Sequence, residues 1–197
     1  MFIKMSLLVL ALFALASCGP RAFTKGDYDD PEKVNLLNDQ FSESDMQHMV
    51  KTLVGSMVKS RPIAKAQQPP VVMVTKLENK TDEHIDTQSI MDMVKVELAR
   101  SGAVNFVDKE AREDVSKEYD YQNSGMMDQS TIHSKGKQIG ADFILNGRLD
   151  SIVQEVGSDK TVYYKITLNL TNLNTNVSVW QDHDQIRKAF KKHHVSM

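Results

Sequence analysis

The sequence predicts a single-domain α/β sandwich, in which helices flank a mixed sheet of about four to five strands. Three observations predict it. Two apolar stripes at helical spacing are each followed by a short apolar run typical of a buried strand. The last third of the chain contains alternating apolar and polar residues and turn residues, as in a half-solvated hairpin. With 197 residues, of which 41% are hydrophobic and 25% charged, the chain has material for one sizeable core.

The first predicted helix follows Phe41. Ser42 is a good N-cap residue, and Asp45 stands three residues later, as in a capping box. Apolar residues then recur at the i, i+3, i+4 and i+7 spacing of a core-facing helix, before Arg61-Pro62 ends it. This stripe consists of Met46, Met49, Val50, Leu53, Val54, Met57 and Val58.

The middle of the chain alternates strands with helices. Pro69-Pro70 introduces the first strand, and the second helix lies between a capping Asp86 and Ser101-Gly102. A later helix is so rich in charge that we expect it on the surface. In order, we predict a strand over 71–74, a polar turn over 78–83, a helix over 86–101, a strand over 103–107, the charged helix over 108–122 and a short helix over 130–139.

Three strands in a meander are predicted to complete the sheet. A long strand covers 141–153, and an alternating strand covers 161–170. The turn residues Asn174-Thr175-Asn176 lead into a returning strand. We expect the first helix to dock through Met49, Leu53 and Met57. The other residues expected in the core are Val72, Val74, Phe106, Phe143, Leu145, Ile166, Leu168 and Trp180.

The N-terminus has the layout of a secretory signal peptide over 1–17, with Lys4, an apolar run over 7–15 and then small residues. The apolar run is about half of the roughly 20 residues that span a bilayer, so a transmembrane helix is the weaker interpretation. Leu15-Ala16-Ser17-Cys18 resembles the lipobox of bacterial lipoproteins. That resemblance implies a diacylglycerol on the Cys18 sulfur and an acyl chain on its amino group.

Residues 18–40 are interpreted as a lipidated N-terminus and flexible tether, and residues 41–197 as the globular domain. Gly19 follows the lipidated cysteine. In Gram-negative lipoproteins an Asp at this position signals retention in the inner membrane, so Gly19 resembles the outer-membrane default. We therefore expect the domain on the periplasmic side of the outer membrane.

Several functions are disfavoured by what the sequence lacks. A net charge of −2 and no ladder of aromatic and basic residues exclude nucleic acid as a first choice of partner. One cysteine cannot form an internal disulfide or a thiolate zinc site. The six histidines lack metal-ligand spacing, and no Gly-rich phosphate loop, G-x-S-x-G or H-E-x-x-H motif is present. We therefore expect no cofactor, no metal and no catalytic residues.

Four segments together resemble the LpoB-type lipoprotein activators of penicillin-binding proteins: FSESDMQHMVKTLVGSM, VVMVTKLENKTDEHID, IGADFILNGRL and VSVWQDHDQIRK. The resemblance implies a fold similar to the N-terminal domain of TolB and an anchor in the outer membrane. It also implies a bifunctional class A penicillin-binding protein as the partner, stimulated in glycan polymerisation and peptide cross-linking. The tether here is shorter than the proline-rich tether of enterobacterial members.

The expected partner contact is a polar surface next to the long strand. Asn146 and Arg148 share a face of that strand, and Lys137 with Gln138 closes the short helix before it. We predict one continuous surface of these four residues. In the alternative interpretation, Arg148 only pairs with Asp150 or another carboxylate, which contributes about 0 to 1 kcal/mol.

The basic C-terminal end also has two interpretations. It is either a solvated strand end with a frayed tail, or a contact with an anionic partner or with peptidoglycan. It comprises Arg187, Lys188, Lys191, Lys192, His193 and His194.

Two other functions remain as alternatives to a monomeric activator. One is a component of a secretion channel like the curli exporter, but such a protein needs two further pairs of membrane strands of about 10 alternating residues each. The other is a peptidoglycan hydrolase, which needs two carboxylates in one cleft. The carboxylates of this sequence are scattered, and the sequence alone does not bring two of them together.

Overall fold

A computed structural model describes residues 29–34, 36, 38–133 and 138–192. The predicted signal peptide, Cys18 and Lys137 lie outside the described residues. The chain divides into a unit that ends at Lys33 and a unit that begins at Val34. In the first unit, residues 29–33 include a turn with an ion pair of 3.6 Å between Lys33 and Asp29.

The second unit is an α/β domain with a mixed five-stranded sheet, which confirms the predicted fold class. Its elements are α1 (Glu43–Lys59), α2 (Arg61–Ala64), β1 (Val71–Lys80), α3 (Thr87–Ser101), β2 (Asn105–Phe106), α4 (Arg112–Gln122), a 3₁₀ turn (Gln129–Thr131), β3 (Phe143–Val156), β4 (Asp159–Asn172) and β5 (Ser178–Lys191).

The strand order is β2-β1-β3-β4-β5. β1 runs parallel to β2 and β3, whereas β3, β4 and β5 form an antiparallel meander. Helices α1 and α3 pack against each other and cover one face of the sheet, α1 over β5 and α3 over β1. We call the opposite face, which carries Asn146, Arg148, Lys165, Thr167 and Asn169, the open face.

The core lies between the sheet and these two helices. In β4 every second residue is buried, from Val162 to Leu170, which confirms the predicted alternation. The capping box of α1 is also confirmed: the Asp45 amide donates to Ser42 Oγ, and the Ser42 amide donates to Asp45 Oδ2. Buried residues predicted for the core include Met49, Leu53, Met57, Val72, Val74, Phe143, Leu145, Ile166 and Leu168.

Two residues predicted for the core are only partly buried. Phe106 and Trp180 pack against the core cluster from β2 and β5, the two edge strands of the sheet. An edge strand has a neighbour on one side only, so its side chains are covered less completely than those of a central strand.

The predicted short helix over 130–139 is wrong. The described residues contain only the three-residue 3₁₀ turn, and Ile132 is already extended. The Asp128 side chain accepts from the Ser130 amide and hydroxyl, and such a local turn competes with a helix. The charged helix also begins later than expected, at Arg112, because Asp108 likewise holds the Glu110 and Ala111 amides in a turn.

Gly147 lies where three strands come close together. It is paired with Leu77 of β1 and Leu168 of β4. A Cβ atom at Gly147 would meet the Thr167 carbonyl oxygen, Leu168 Cδ2 at 2.6 Å and Leu77 Cδ1 at 3.0 Å. The glycine therefore lets the flanking leucine side chains converge over the backbone.

We expect Gly147→Ala to lower the free energy of unfolding by about 1 to 3 kcal/mol, because overpacking forces the neighbours to shift. Chemical denaturation measures the effect. Gly55→Ala is the matched control, since a Cβ there meets nothing within 4 Å. Equal stability of the two variants would contradict the close packing of β1, β3 and β4.

Candidate partner-binding surface

Asn146 and Arg148 lie on the open face, whereas Leu145 and Leu149 of the same strand point into the core. Strand geometry produces this division, because successive side chains point to opposite faces. The two predicted residues line one shallow groove of about 320 Å³. The groove is completed by Lys76, Glu78, Gly147, Thr167, Asn169 and Gln181.

Arg148 does pair with Asp150, as the alternative interpretation holds. Its Nε lies 2.9 Å from Asp150 Oδ1, yet the Arg148 side chain stays 52% exposed. Lys165 Nζ is 3.9 Å from the same carboxylate. Two cations, Arg148 and Lys165, therefore share the one carboxylate of Asp150. The three side chains together carry a net positive charge.

Cations also outnumber carboxylates on β1. Lys76 and Lys80 lie 3.1 Å and 3.6 Å from the Glu78 carboxylate. The hydrogen bond from Lys76 lowers the pKa of Glu78, so this carboxylate is ionised at neutral pH. Counting both clusters, the four cations Lys76, Lys80, Arg148 and Lys165 face two carboxylates, Glu78 and Asp150. This part of the open face fits an acidic surface.

The open face continues toward the β3–β4 hairpin. There the Tyr163 hydroxyl donates to Gln185 Oε1 at 2.6 Å. Tyr163 and Gln185 line a second shallow groove with Ile152, Lys165 and Arg187. Aromatic and arginine side chains are enriched in protein–protein interfaces, so this groove is suited to contact with another protein.

Gln138 lies elsewhere among the described residues. It lines a groove with Val71, Tyr119 and Ile139, beside α4 and β2. Lys137 is outside the described residues, so the continuous surface of four residues stays a prediction. The structure brings Asn146 and Arg148 into one groove and places Gln138 in another.

Sequence reasoning missed a buried polar cluster around Lys188. Lys188 belongs to the basic C-terminal end, but its side chain is only 3% exposed, so a solvated position was wrong for this residue. Its Nζ lies 2.5 Å from Asp45 Oδ2 and donates to the Gln40 carbonyl oxygen at 2.6 Å. The same ammonium lies 5.9 Å from the centre of the Tyr164 ring.

Tyr164 extends this cluster. Its hydroxyl hydrogen bonds with Glu83 Oε1 and lies 3.2 Å from the Asp39 carbonyl oxygen. Burial and the hydrogen bond to Glu83 raise the pKa of Tyr164 well above its usual range, so the phenol stays protonated. The other Glu83 oxygen accepts from the Phe41 amide at 3.0 Å.

These contacts fix residues 39–42 on the helix-covered side of β4. Lys160, on the same side of β4 as Tyr164, lies 2.5 Å from Asp39 Oδ2. The hydrogen bond from Lys160 lowers the pKa of Asp39. The segment just before α1 is thus held opposite the open face, and the described residues leave that face uncovered around Arg148.

Neither a metal centre nor a membrane-spanning helix is found in the described ranges. No three His, Cys, Asp or Glu side chains there are grouped to hold an ion. The helices of the same ranges are all too short or too polar to cross a bilayer.

The five-stranded sheet and the two helices on one of its faces define an α/β domain whose other face is exposed around Arg148. The chain belongs to the family of the peptidoglycan-synthase activator LpoB, which matches residues 45–186.

Solved structures similar to this chain include members of that family. The LpoB C-terminal domain from Salmonella enterica is 13% identical over 72% of this chain and 98% of that domain, with a TM-score of 0.46. The corresponding domain from Escherichia coli is 14% identical with the same coverage and TM-score. The lipoprotein GNA1162 from Neisseria meningitidis is 16% identical over 61% of this chain and 84% of that chain, with a TM-score of 0.41. No curated protein matches the chain.

Proposed function

We propose that this protein binds and stimulates a bifunctional class A penicillin-binding protein through its open face. The observation that carries the proposal is membership of the synthase-activator family over residues 45–186. The open face supports it, because four cations there share two carboxylates. An activator of this kind acts by binding and contributes no catalytic group of its own.

We further propose that the domain is held at the outer membrane by lipid on Cys18. The support is the apolar run that ends at Leu15-Ala16-Ser17-Cys18 and the Gly19 that follows. Buried methylenes contribute about 0.8 kcal/mol each, so a diacylglycerol with an N-acyl chain is a lasting anchor. The contacts of residues 39–42 would then leave the open face available to a synthase.

We expect native protein from the cell envelope to begin at Cys18 and to carry three acyl chains. Mass spectrometry of the intact protein checks this. A mature chain that begins elsewhere, or an unmodified Cys18, contradicts the anchor. Cys18→Ser should abolish lipidation but leave the melting temperature unchanged, because the thiol precedes every element of the domain.

Charge reversal tests the open face. We expect Arg148→Glu combined with Lys137→Glu to weaken synthase binding by about tenfold or more, since rows of like charge across an interface are costly. Surface plasmon resonance with the purified synthase measures affinity, and circular dichroism and melting should be unchanged. Arg148→Glu alone measures the contribution of Arg148, which lines the groove, without that of Lys137, which lies outside the described residues.

Lys59→Glu is the matched control, because Lys59 is an exposed cation at the end of α1, on the helix side of the domain. It should bind the synthase like the wild type. Unaltered affinity in the Arg148 and Lys137 double variant would place the interface elsewhere. Equal losses in the control and the double variant would point to a general charge effect instead of a defined contact.

A further inference from the structure

A groove runs along the outer edge of β1, on the side away from β3. Its floor is formed at Val74, Thr75 and Lys76, and it encloses about 770 Å³. Helix α3 forms one wall, and residues 106–110 form the other. This groove is separate from the two grooves of the open face, which share only Lys76 with it.

The strand edge in this groove has little cover. β1 is ten residues long, but β2 pairs only with Val71 and Val72. The Val107 amide donates to the Val72 carbonyl oxygen at 3.2 Å, and within the described ranges no backbone hydrogen bond follows it on that side of β1. From Met73 onward, the described residues give β1 no strand partner there. A strand edge of this kind is a template for an added strand.

The walls of the groove are apolar where an added strand would place its side chains. Val96 and Ala99 contribute from α3, and Phe106 and Val107 from the opposite wall. Val96 is 47% exposed and lines the groove. The buried apolar residues of α3 face the core instead, and they are Ile90, Met91, Val94 and Leu98. A groove of this volume accommodates a few residues of extended peptide.

The acidic groups of the groove are already engaged. The Asp108 carboxylate accepts from the Glu110 and Ala111 amides. The Glu110 carboxylate lies 3.6 Å from Lys95 Nζ. Lys109 is exposed and has no carboxylate within ion-pair distance in the described part of the chain. The rim therefore complements a carboxylate on whatever occupies the groove.

We propose that this groove binds an extended peptide segment of a partner protein, which adds to β1 as a strand. Its apolar side chains, at every second position, lie against Val96 on the α3 wall, and the carboxylate between them points to the opposite wall and pairs with Lys109. This is a second interaction surface, beyond the synthase contact of the open face, and it recognises the backbone of its partner as well as its side chains.

The test uses the full mature chain in detergent and three labelled peptides. The first is Ac-Thr-Val-Glu-Val-Thr-NH₂, the second is the same peptide N-methylated at both valines, and the third has Lys in place of Glu. Fluorescence polarisation measures binding against detergent alone, and hydrogen exchange follows the amides of residues 73–80. N-methylation removes backbone donors but keeps the side chains, so it isolates strand addition.

We expect saturable binding of the first peptide, slower exchange in β1 and affinity about tenfold weaker for the N-methylated peptide. Val96→Glu should abolish binding, and the milder Val96→Ser should weaken it if the glutamate variant folds poorly. Lys109→Glu should weaken binding of the Glu peptide and strengthen that of the Lys peptide. Arg148→Glu and Lys59→Glu should change neither.

Three results would overturn the proposal. One is the absence of saturable binding up to about 1 mM, where even a weak site is occupied. Another is equal affinity for the plain and N-methylated peptides. The third is loss of binding in Arg148→Glu with full binding in Val96→Glu, which would assign the peptide to the open face.

Discussion

We expect Lys188→Ala to lower the free energy of unfolding by about 3 to 5 kcal/mol, because it leaves a buried carboxylate without its partner. Asp45 is buried, and its Oδ2 lies 2.5 Å from Lys188 Nζ. The same change removes the donor to the Gln40 carbonyl oxygen. Urea denaturation of wild type and variant measures the loss.

Lys191→Ala is the control for this experiment. Lys191 lies on the same strand, its side chain is 80% exposed, and it is 3.9 Å from Asp159. An exposed pair of this kind contributes about 0 to 1 kcal/mol. Lys188→Ala together with Asp45→Ala should cost less than the sum of the single changes, since neither charge is then left alone. Equal losses for Lys188→Ala and Lys191→Ala would show that Lys188 is not buried.

The elements with strong local signals were predictable from sequence. The α1 capping box depends on Ser42 and Asp45, three residues apart, and the structure confirms both hydrogen bonds. The alternation in β4 likewise predicted which side chains are buried. The short helix over 130–139 lacked such a signal, and Asp128 formed a local turn there instead.

Burial that depends on distant parts of the chain was not predictable in this way. Lys188 stands in a run of basic residues, which is typical of a solvated end. Its burial follows from the docking of α1 on β5, which brings together Asp45 and Lys188, 143 positions apart in the sequence. One signal was present in the sequence. Lys188 is an even number of residues from Ile186 and Trp180, so it lies on the same face of the strand as these two residues, which pack against the core.

The contact between α1 and β5 is polar along much of its length. Besides the pair of Asp45 and Lys188, the Ser56 hydroxyl donates to Asp182 Oδ2. This hydrogen bond lowers the pKa of Asp182. The polar contacts explain why the inward side of β5 carries charged residues.

The sequence predicted that two of the proposed contact residues lie side by side, for a related reason. Asn146 and Arg148 are two residues apart on one strand, so the period of the strand places them together whatever the rest of the fold does. Gln138 is separated from them by an irregular segment, and it lines a different groove, beside α4. The tertiary structure decides which residues of different elements lie close together. The groove at the β1 edge also depends on it, because β1, α3 and residues 106–110 form that groove together.

The second large effect is expected for Leu53→Ala, which should lower the free energy of unfolding by about 2 to 5 kcal/mol. Leu53 is 1% exposed and lies between Met49 and Met57 on the buried side of α1. The truncation leaves a cavity between this helix and the sheet. The melting temperature should fall by several degrees, at about 2 to 4 °C per kcal/mol for a chain of this size.

Thr52→Ala provides the comparison, because Thr52 is exposed and its hydroxyl donates to the His48 carbonyl oxygen of its own helix. Its melting temperature should stay close to that of the wild type. If Leu53→Ala melted like Thr52→Ala, α1 would not belong to the cooperative unit. The Lys188 cluster would then lack its support, since Asp45 reaches β5 only when α1 is docked, and residues 39–42 would no longer be held away from the open face.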